Sequence, residues 1–234
     1  MQELPVRERI ASMTAECLED NTLVNVGIGI PGLVPHYTPD ERQILFHAEQ
    51  GVIGFGSDRF GPDDSPVLQF FGTSYRMRPG GFISDHTRSF ALVRSGRLDV
   101  TVLGAFEIEA TGMLANFQSA TMGSGCPGGS PELAGAAKRV VVAMEHTNKD
   151  GRPRLVHRTK LAIGPTQPAE VVVTELGWFE PAGDGFVIRR LADGVSEAEV
   201  AAVTDAEVRW APAAPGTAST AGLSKAIKVT KAKQ

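Results

Sequence analysis

A single carboxylate closes the apolar run Ile44-Leu45-Phe46-His47-Ala48-Glu49, and Gln50-Gly51-Val52-Ile53-Gly54-Phe55-Gly56 follows at once. The run has strand character, so Glu49 is expected where a buried strand ends and a glycine-rich stretch begins. A carboxylate in that position can be shielded from water, and glycines beside it let an extended arm of a substrate come close. The chemistry open to such a group is nucleophilic or acid–base. Most glutamates only solvate a surface, so the rest of the chain must support a functional Glu49. The histidines His36, His47, His86, His146 and His157 have neither H-x-x-x-H nor Cys/His spacing, and no metal site is expected. Cys126, in Gly123-Ser124-Gly125-Cys126-Pro127-Gly128-Gly129-Ser130, has no sequence signature pairing it with a histidine.

The elements that must position these residues are legible from periodicity. Residues 5–20 predict an amphipathic helix with Val6, Ile10, Met13 and Cys17 on one face. Leu23-Val24-Asn25-Val26 predicts a strand entering Gly27-Ile28-Gly29-Ile30-Pro31-Gly32, where Pro31 suits a first helical turn and Pro35 keeps that helix short. Residues 50–66 predict a Gly/Asp/Pro loop. Ser84 or Asp85 is placed to cap a helix through Arg94 that Gly96 ends, and Ser130-Pro131-Glu132 reads as cap, proline and first-turn acid of a helix reaching about Lys138. Asp99–Leu103, Val140–Met144 and Val171–Thr174 read as buried strands, and Ser196-Glu197-Ala198-Glu199 as a capping box. Continuous Val/Ile runs alternating with helices imply an α/β fold, a mainly parallel sheet flanked by helices.

Bulk properties narrow the function class. The 234 residues are 42% hydrophobic and 21% charged, close to the globular average. A domain over 1–210 is expected, with an Ala/Pro/Lys-rich flexible tail over 211–234. The tail holds four lysines and no acid, so the formal charge of -4 becomes -8 over the rest, which gives no footprint for nucleic acid. No apolar run approaches the roughly 18 residues of a membrane span. The first nine residues contain acids and no apolar core, so no secretory signal is expected. Two cysteines make no disulfide framework, and a cytoplasmic setting follows.

Gly27-Ile28-Gly29-Ile30-Pro31-Gly32 also fits G-x-G-x-x-G, with Glu49 about 20 residues on, as in an NAD-binding Rossmann turn. Against this stand the two prolines in the helix such a turn needs, and the glycines Gly51, Gly54 and Gly56 after Glu49, which a ribose-binding acid does not require.

Longer stretches are more specific. Asn25-Val26-Gly27-Ile28-Gly29-Ile30-Pro31 resembles the N-[LV]-G-I-G-[IL]-P segment of the β subunits of class I coenzyme A transferases, of the 3-oxoacid type. His47-Ala48-Glu49-Gln50-Gly51-Val52-Ile53-Gly54-Phe55-Gly56 resembles their S-E-N-G-x-L-G-x-G block, whose glutamate is the covalent nucleophile. Ser89–Arg94 with Leu98–Ala105, Leu114-Ala115-Asn116-Phe117, Val142–Thr147 and Val173–Leu176 continue the resemblance in order over roughly residues 5–205. It implies an α/β fold, a separate or fused α subunit as partner, coenzyme A thioester as substrate with no resident cofactor, and Glu49 as carrier of a glutamyl-CoA thioester in a ping-pong exchange. Asn25, 24 positions before Glu49, and Gly51, Gly128 and Gly129 are implied in substrate or coenzyme A binding; Asn25 could equally be a buried amide satisfied by its neighbours. Gly128, Gly129, Glu132 and Leu133 fall on the family's G-M-G-G-A-M-D-L loop, while Cys126-Pro127, Ala48 and Gln50 depart from the pattern. His47, two before Glu49, is read as a strand residue facing away or as a group tuning the carboxylate. Arg76, Arg78 and Arg88 flank the segment where the family reads S-S-x-E, and one of them is a candidate grip for a second substrate carboxylate. Succinate with acetoacetate, 3-oxoadipate and short-chain acids all suit the framework. An acyl-CoA hydrolase on the same scaffold and a non-catalytic assembly subunit are the alternatives.

Overall fold

The computed structural model describes residues 4–57, 67–118 and 125–211. The predicted tail beyond Ala211, residues 58–66 of the predicted loop, and Gly123-Ser124 lie outside the described residues. The chain runs α1 (Val6–Glu16), β1 (Thr22–Val26), α2 (Ile30–Leu33), β2 (Ile44–Ala48), β3 (Val52–Ser57), β4 (Val67–Phe70), β5 (Thr73–Ile83), α3 (His86–Leu92), β6 (Val100–Leu103), β7 (Glu107–Glu109), β8 (Leu114–Ala115), α4 (Ser130–Ala136), β9 (Arg139–Ala143), β10 (Leu155–Val156), β11 (Val171–Thr174), β12 (Gly177–Pro181), β13 (Gly185–Leu191), α5 (Glu197–Ala202) and β14 (Glu207–Trp210).

An 11-stranded sheet orders them β14-β13-β12-β11-β9-β6-β1-β2-β3-β5-β4. Its centre, from β11 to β2, is parallel throughout, in the registers Val171↔Val141, Val100↔Arg139, Val24↔Val100 and Thr22↔Ile44. Alternate residues of these β-branched strands point to opposite faces. Val24, Val26, Val100, Val102, Val141, Ala143 and Val173 bury one face under Ile10, Ala11 and Met13 of α1 and Ile30 of α2. On the other face Leu23, Leu98 and Phe90 pack with Leu133 of α4, and Val140, Val142 and Val172 with Ala134 and Val200. Both faces of the central strands are therefore covered, which is why they read as unbroken apolar runs. The α/β class holds as expected.

Antiparallel pairings extend the sheet on both sides of this centre, with β14 added parallel to β13 at one edge, and here the loop predicted over 50–66 is corrected. Val52–Ser57 is a strand, paired with β2 as Ala48↔Val52 and with β5 as Val52↔Ile83. Its glycines exist for strand packing. A Cβ on Gly54 would lie 2.7 Å from Gly81 Cα, two glycine backbones pressed together across the pair. β4 and β5 join through Phe71 (φ 56) and Gly72 (φ 77), a two-residue turn with both φ positive that matches the strand twist.

The helix signals survive, with α1 ending early at Glu16 and changes at both ends of α4. Asp85 caps α3, accepting from Arg88 N at 2.9 Å, and Gly96 at φ 72 ends the turn that follows. Ser196 and Glu199 form the expected capping box of α5. Ser130 is not a cap. Gly129 occupies that position and the Ser130 hydroxyl turns back to donate to Pro127 O at 2.8 Å. Lys138 falls outside α4, its N–H already donating to Leu98 O at 3.0 Å. No helix among the described residues is long and apolar enough to cross a membrane, and no group of three or more His, Cys, Asp or Glu side chains among them could hold a metal ion.

Candidate active site

The parallel strands β2, β1, β6 and β9 all end on one edge of the sheet. From β1 the chain proceeds to β2 on one side, and later enters β6 on the other. The loops leaving β1 and β6 therefore diverge and open a crevice, the usual ligand position in an open α/β sheet. A cavity of about 450 Å³ fills it, between Val26–Pro31 after β1, Leu103–Phe106 after β6, Met144 after β9 and Cys126–Ser130 before α4.

Glu49 enters this cavity from the end of β2. It begins the three-residue turn Glu49-Gln50-Gly51 into β3, in which Gly51 N donates to Ala48 O at 2.9 Å. Glu49 is half-buried and its carboxylate has no hydrogen-bond or ion-pair partner among the described residues. It lies against Gly129, where a Cβ would collide with the carboxylate and stand 2.7 Å from Phe90 Cζ. Gly128 and Gly129 line the same cavity, so the structure brings Glu49, Asn25, Gly128 and Gly129 together around one space.

Gly51 does not line the cavity. At φ 107 it lets the turn close, its carbonyl accepts from Ser84 N at 2.8 Å, and a Cβ there would lie 2.5 Å from Ser84 O. Gly51 thus has a backbone duty, in place of the substrate contact expected for it. Gly51→Ala is expected to cost about 3 kcal/mol of stability, from a strained φ and a backbone clash together. Thermal unfolding checks this, and a Tm within about 2 °C of the parent contradicts it.

Asn25 lines the cavity but spends its amide on the protein. Nδ2 donates to His47 Nδ1 at 3.0 Å and to His47 O at 3.3 Å, and Oδ1 accepts from Thr101 Oγ1 at 3.1 Å. A carbonyl can only accept, which fixes Nδ2 toward His47 and makes Nδ1 the acceptor. His47 therefore carries its proton on Nε2 and donates to Ser89 Oγ at 2.8 Å. Both N–H bonds of Asn25 are used. His47 is fully buried and faces this network, which corrects its reading as a direct tuner of Glu49.

Burial pushes the His47 pKa down to about 4. His146, fully buried between Thr174 and Thr204, is likewise pushed down to about 4 by burial. Both rings are neutral in the fold, while the unfolded chain protonates them near their ordinary value of 6.5. Their contribution is whole above pH 6.5 and is lost as pH falls toward 4. Each removes about 2 kcal/mol between about pH 7 and pH 5. Urea unfolding of His146→Gln should therefore show a shallower pH dependence in that window than the parent; an unchanged slope contradicts the buried neutral ring.

Among the described residues, the charged groups lining the cavity are Glu49, Arg7 and Arg154. The arginines proposed from the sequence are elsewhere. The Arg88 side chain is 82% exposed beside Asp85. Arg78 donates to Asp40 at 2.6 Å and, with Arg76, lines a separate cavity of about 320 Å³. Arg7 read as a solvent-facing helix residue and Arg154 carried no motif, so sequence reasoning missed both. Cys126 is exposed at the cavity and no histidine lines it, which leaves no Cys/His pair there. The helix after Gly27-Ile28-Gly29 has only four residues, too short for a dinucleotide-binding turn.

Comparison with known proteins agrees with this geometry. The pattern of the family described as Coenzyme A transferase matches residues 7–202. The chain is 37% identical over 206 residues to the beta subunit of a probable coenzyme A transferase of Bacillus subtilis (strain 168), covering 87% of this chain and 94% of that one. It is 32% identical over 207 residues to one of the subunits of the 3-oxoadipate CoA-transferase of Acinetobacter baylyi, covering 86% and 93%. Among solved structures, the acyl-CoA transferase YdiF of Escherichia coli O157:H7 superposes with a TM-score of 0.68 at 18% identity, over 91% of this chain and 43% of that one, so the chain spans less than half of YdiF. Glutaconate coenzyme A-transferase of Acidaminococcus fermentans superposes at 0.62 with 14% identity, over 87% and 86%. With the family pattern spanning most of its length and relatives above 30% identity along nearly all of theirs, this chain belongs to the coenzyme A transferase family.

Proposed function

We propose that the chain is the β subunit of a coenzyme A transferase, working with an α subunit, and that Glu49 carries coenzyme A between two carboxylic acids. The observation that supports this most is the Glu49 carboxylate itself, unpartnered among the described residues and half-buried in the cavity at the strand ends. An unpaired carboxylate in such a place is poorly explained by stability, because a partly desolvated charge without partners costs free energy.

A Glu49 carboxylate oxygen attacks the thioester carbonyl of the donor. The C–S bond breaks, coenzyme A leaves as thiolate, and a mixed anhydride remains. The thiolate attacks Cδ of Glu49 and expels the donor acid, leaving a glutamyl-CoA thioester. The acceptor carboxylate then displaces the thiolate from Cδ, and the thiolate attacks the acceptor's acyl carbon of the new anhydride. Glu49 is restored and a new acyl-CoA leaves. One thioester is exchanged for another, so no ATP and no resident cofactor are required. Each tetrahedral intermediate needs donors for its oxyanion and a site that excludes water. The N–H groups of Gly128 and Gly129, which line the same cavity, are the donors this reading assigns to the first, and the partner subunit is assigned the second.

Incubation of the assembled complex with acyl-CoA and no acceptor, followed by borohydride reduction and peptide mass mapping, tests the assignment. The peptide containing Glu49 is expected to carry the modification. An active complex with no adduct at Glu49 overturns it, and turnover independent of added carboxylate identifies a hydrolase instead.

A further inference from the structure

Arg154 lines the same cavity as Glu49. It follows β9 in the chain, its N–H donates to His146 O at 3.0 Å, and its carbonyl accepts from Ile108 N at 2.9 Å, so its backbone is held on both sides. Its guanidinium, half-buried, has no ion-pair or hydrogen-bond partner among the described residues. Acids are near in sequence register, since Leu155 pairs with Ile108 and brings Arg154 level with Glu107. Those acids are committed elsewhere. Glu107 accepts from the Thr159 hydroxyl, and Glu109 from Thr159 N at 3.0 Å and the Thr111 hydroxyl at 3.0 Å. The fold thus withholds the available carboxylates from a guanidinium that faces a cavity.

Asn116 lines the same cavity. Its Oδ1 is buried against Gly164 without a partner among the described residues, which leaves Nδ2, a donor, as the amide atom available to the cavity. A guanidinium fork and an amide N–H make a carboxylate-binding pair. Glu49 and Arg154 line one cavity of about 450 Å³, so an acyl group reacting at Glu49 shares that space with the guanidinium.

We propose that Arg154 is a specificity-determining residue that binds the distal carboxylate of a dicarboxylic acyl group while its reacting carbonyl lies at Glu49. The inference rests on the reading of Glu49 as nucleophile. Arg7, exposed to solvent beside Gly29, is outside this role.

The test uses the complete complex with Arg154→Gln and Arg154→Lys, and acceptors paired by length: succinate against butyrate. Arg154→Gln is expected to lower kcat/KM for succinate by about 30- to 100-fold, mainly through KM, and to leave butyrate within about twofold, as loss of a bidentate charged contact predicts. Arg154→Lys, which keeps the charge and loses the fork, should fall between. Equal losses on both acids would mean a structural role and overturn the proposal, as would an undiminished succinate rate or a parent complex that rejects dicarboxylic acids. Adduct mapping on Arg154→Gln with butyryl-CoA separates the two levels. A Glu49 adduct there with unchanged acid preference refutes the arginine alone, whereas its absence in the parent too refutes the nucleophile and the arginine assignment with it.

Discussion

Glu49→Ala, assembled with the partner subunit, is expected to lose about four to six orders of magnitude in kcat, as removal of a covalent nucleophile does in other enzymes. The loss should come without unfolding. The side chain makes no hydrogen bond or ion pair among the described residues, so its removal breaks no internal contact of that kind, and the turn is held by the backbone bond from Gly51 to Ala48. Glu49→Asp is the sharper probe. It retains the carboxylate but withdraws it by one methylene from the position beside Gly129, and misplacement of reacting atoms by about 1 Å costs on the order of 100-fold. Steady-state kinetics with thermal unfolding on the same preparations decide the matter. Glu49→Ala within tenfold of the parent would remove the carboxylate from the mechanism.

The second large effect is placed on a residue that carries no side chain. In Gly129→Ala the new Cβ collides with the Glu49 carboxylate and with the Phe90 ring edge. The backbone itself tolerates alanine, since Gly129 has φ -81 and ψ -6. Because both obstacles are the far ends of side chains, the carboxylate is expected to swing away and the fold to survive. A loss of about 100-fold in kcat with a Tm within a few degrees is the expected pair of readings. Gly135→Ala, further along α4 with only Thr166 Oγ1 at 3.8 Å, is the control and should keep full activity. A large fall in Tm for Gly129→Ala with normal activity in the folded fraction would show that the contact supports folding and not the carboxylate.

What the sequence disclosed and what it concealed divide along one physical line. The central strands declared themselves through Val/Ile runs, and Asp85 and Ser196 through capping chemistry, because these effects act within a few residues. Glu49 was found for the same reason, a carboxylate at a strand end. Val52–Ser57 was concealed because Gly54 and Gly56 imitate a loop, and only Gly81 on the neighbouring strand explains Gly54. Phe71 at φ 56 is no turn former by type, so the β4–β5 hairpin gave no local sign. Ser130 lost its capping role to Gly129 because its hydroxyl had a nearer acceptor in Pro127 O. The arginines were placed wrongly because a long cation has no periodicity. Whether it reaches a cavity depends on crossovers such as the one that sets Arg154 beside the end of β9.

The two walls around Glu49 differ in how they are held. Glu49 sits on a three-residue turn whose strands are paired on both flanks, β2 with β1 and β3 with β5, and the turn is tied to Ser84 as well. Gly128 and Gly129 opposite it lead into a seven-residue helix. The carboxylate is therefore fixed from the sheet side, and the glycine side is the wall not tied into strand pairing. On the proposed reading of Glu49, the sheet acts as an anvil that holds the carboxylate in place, with the substrate worked against it from the glycine side.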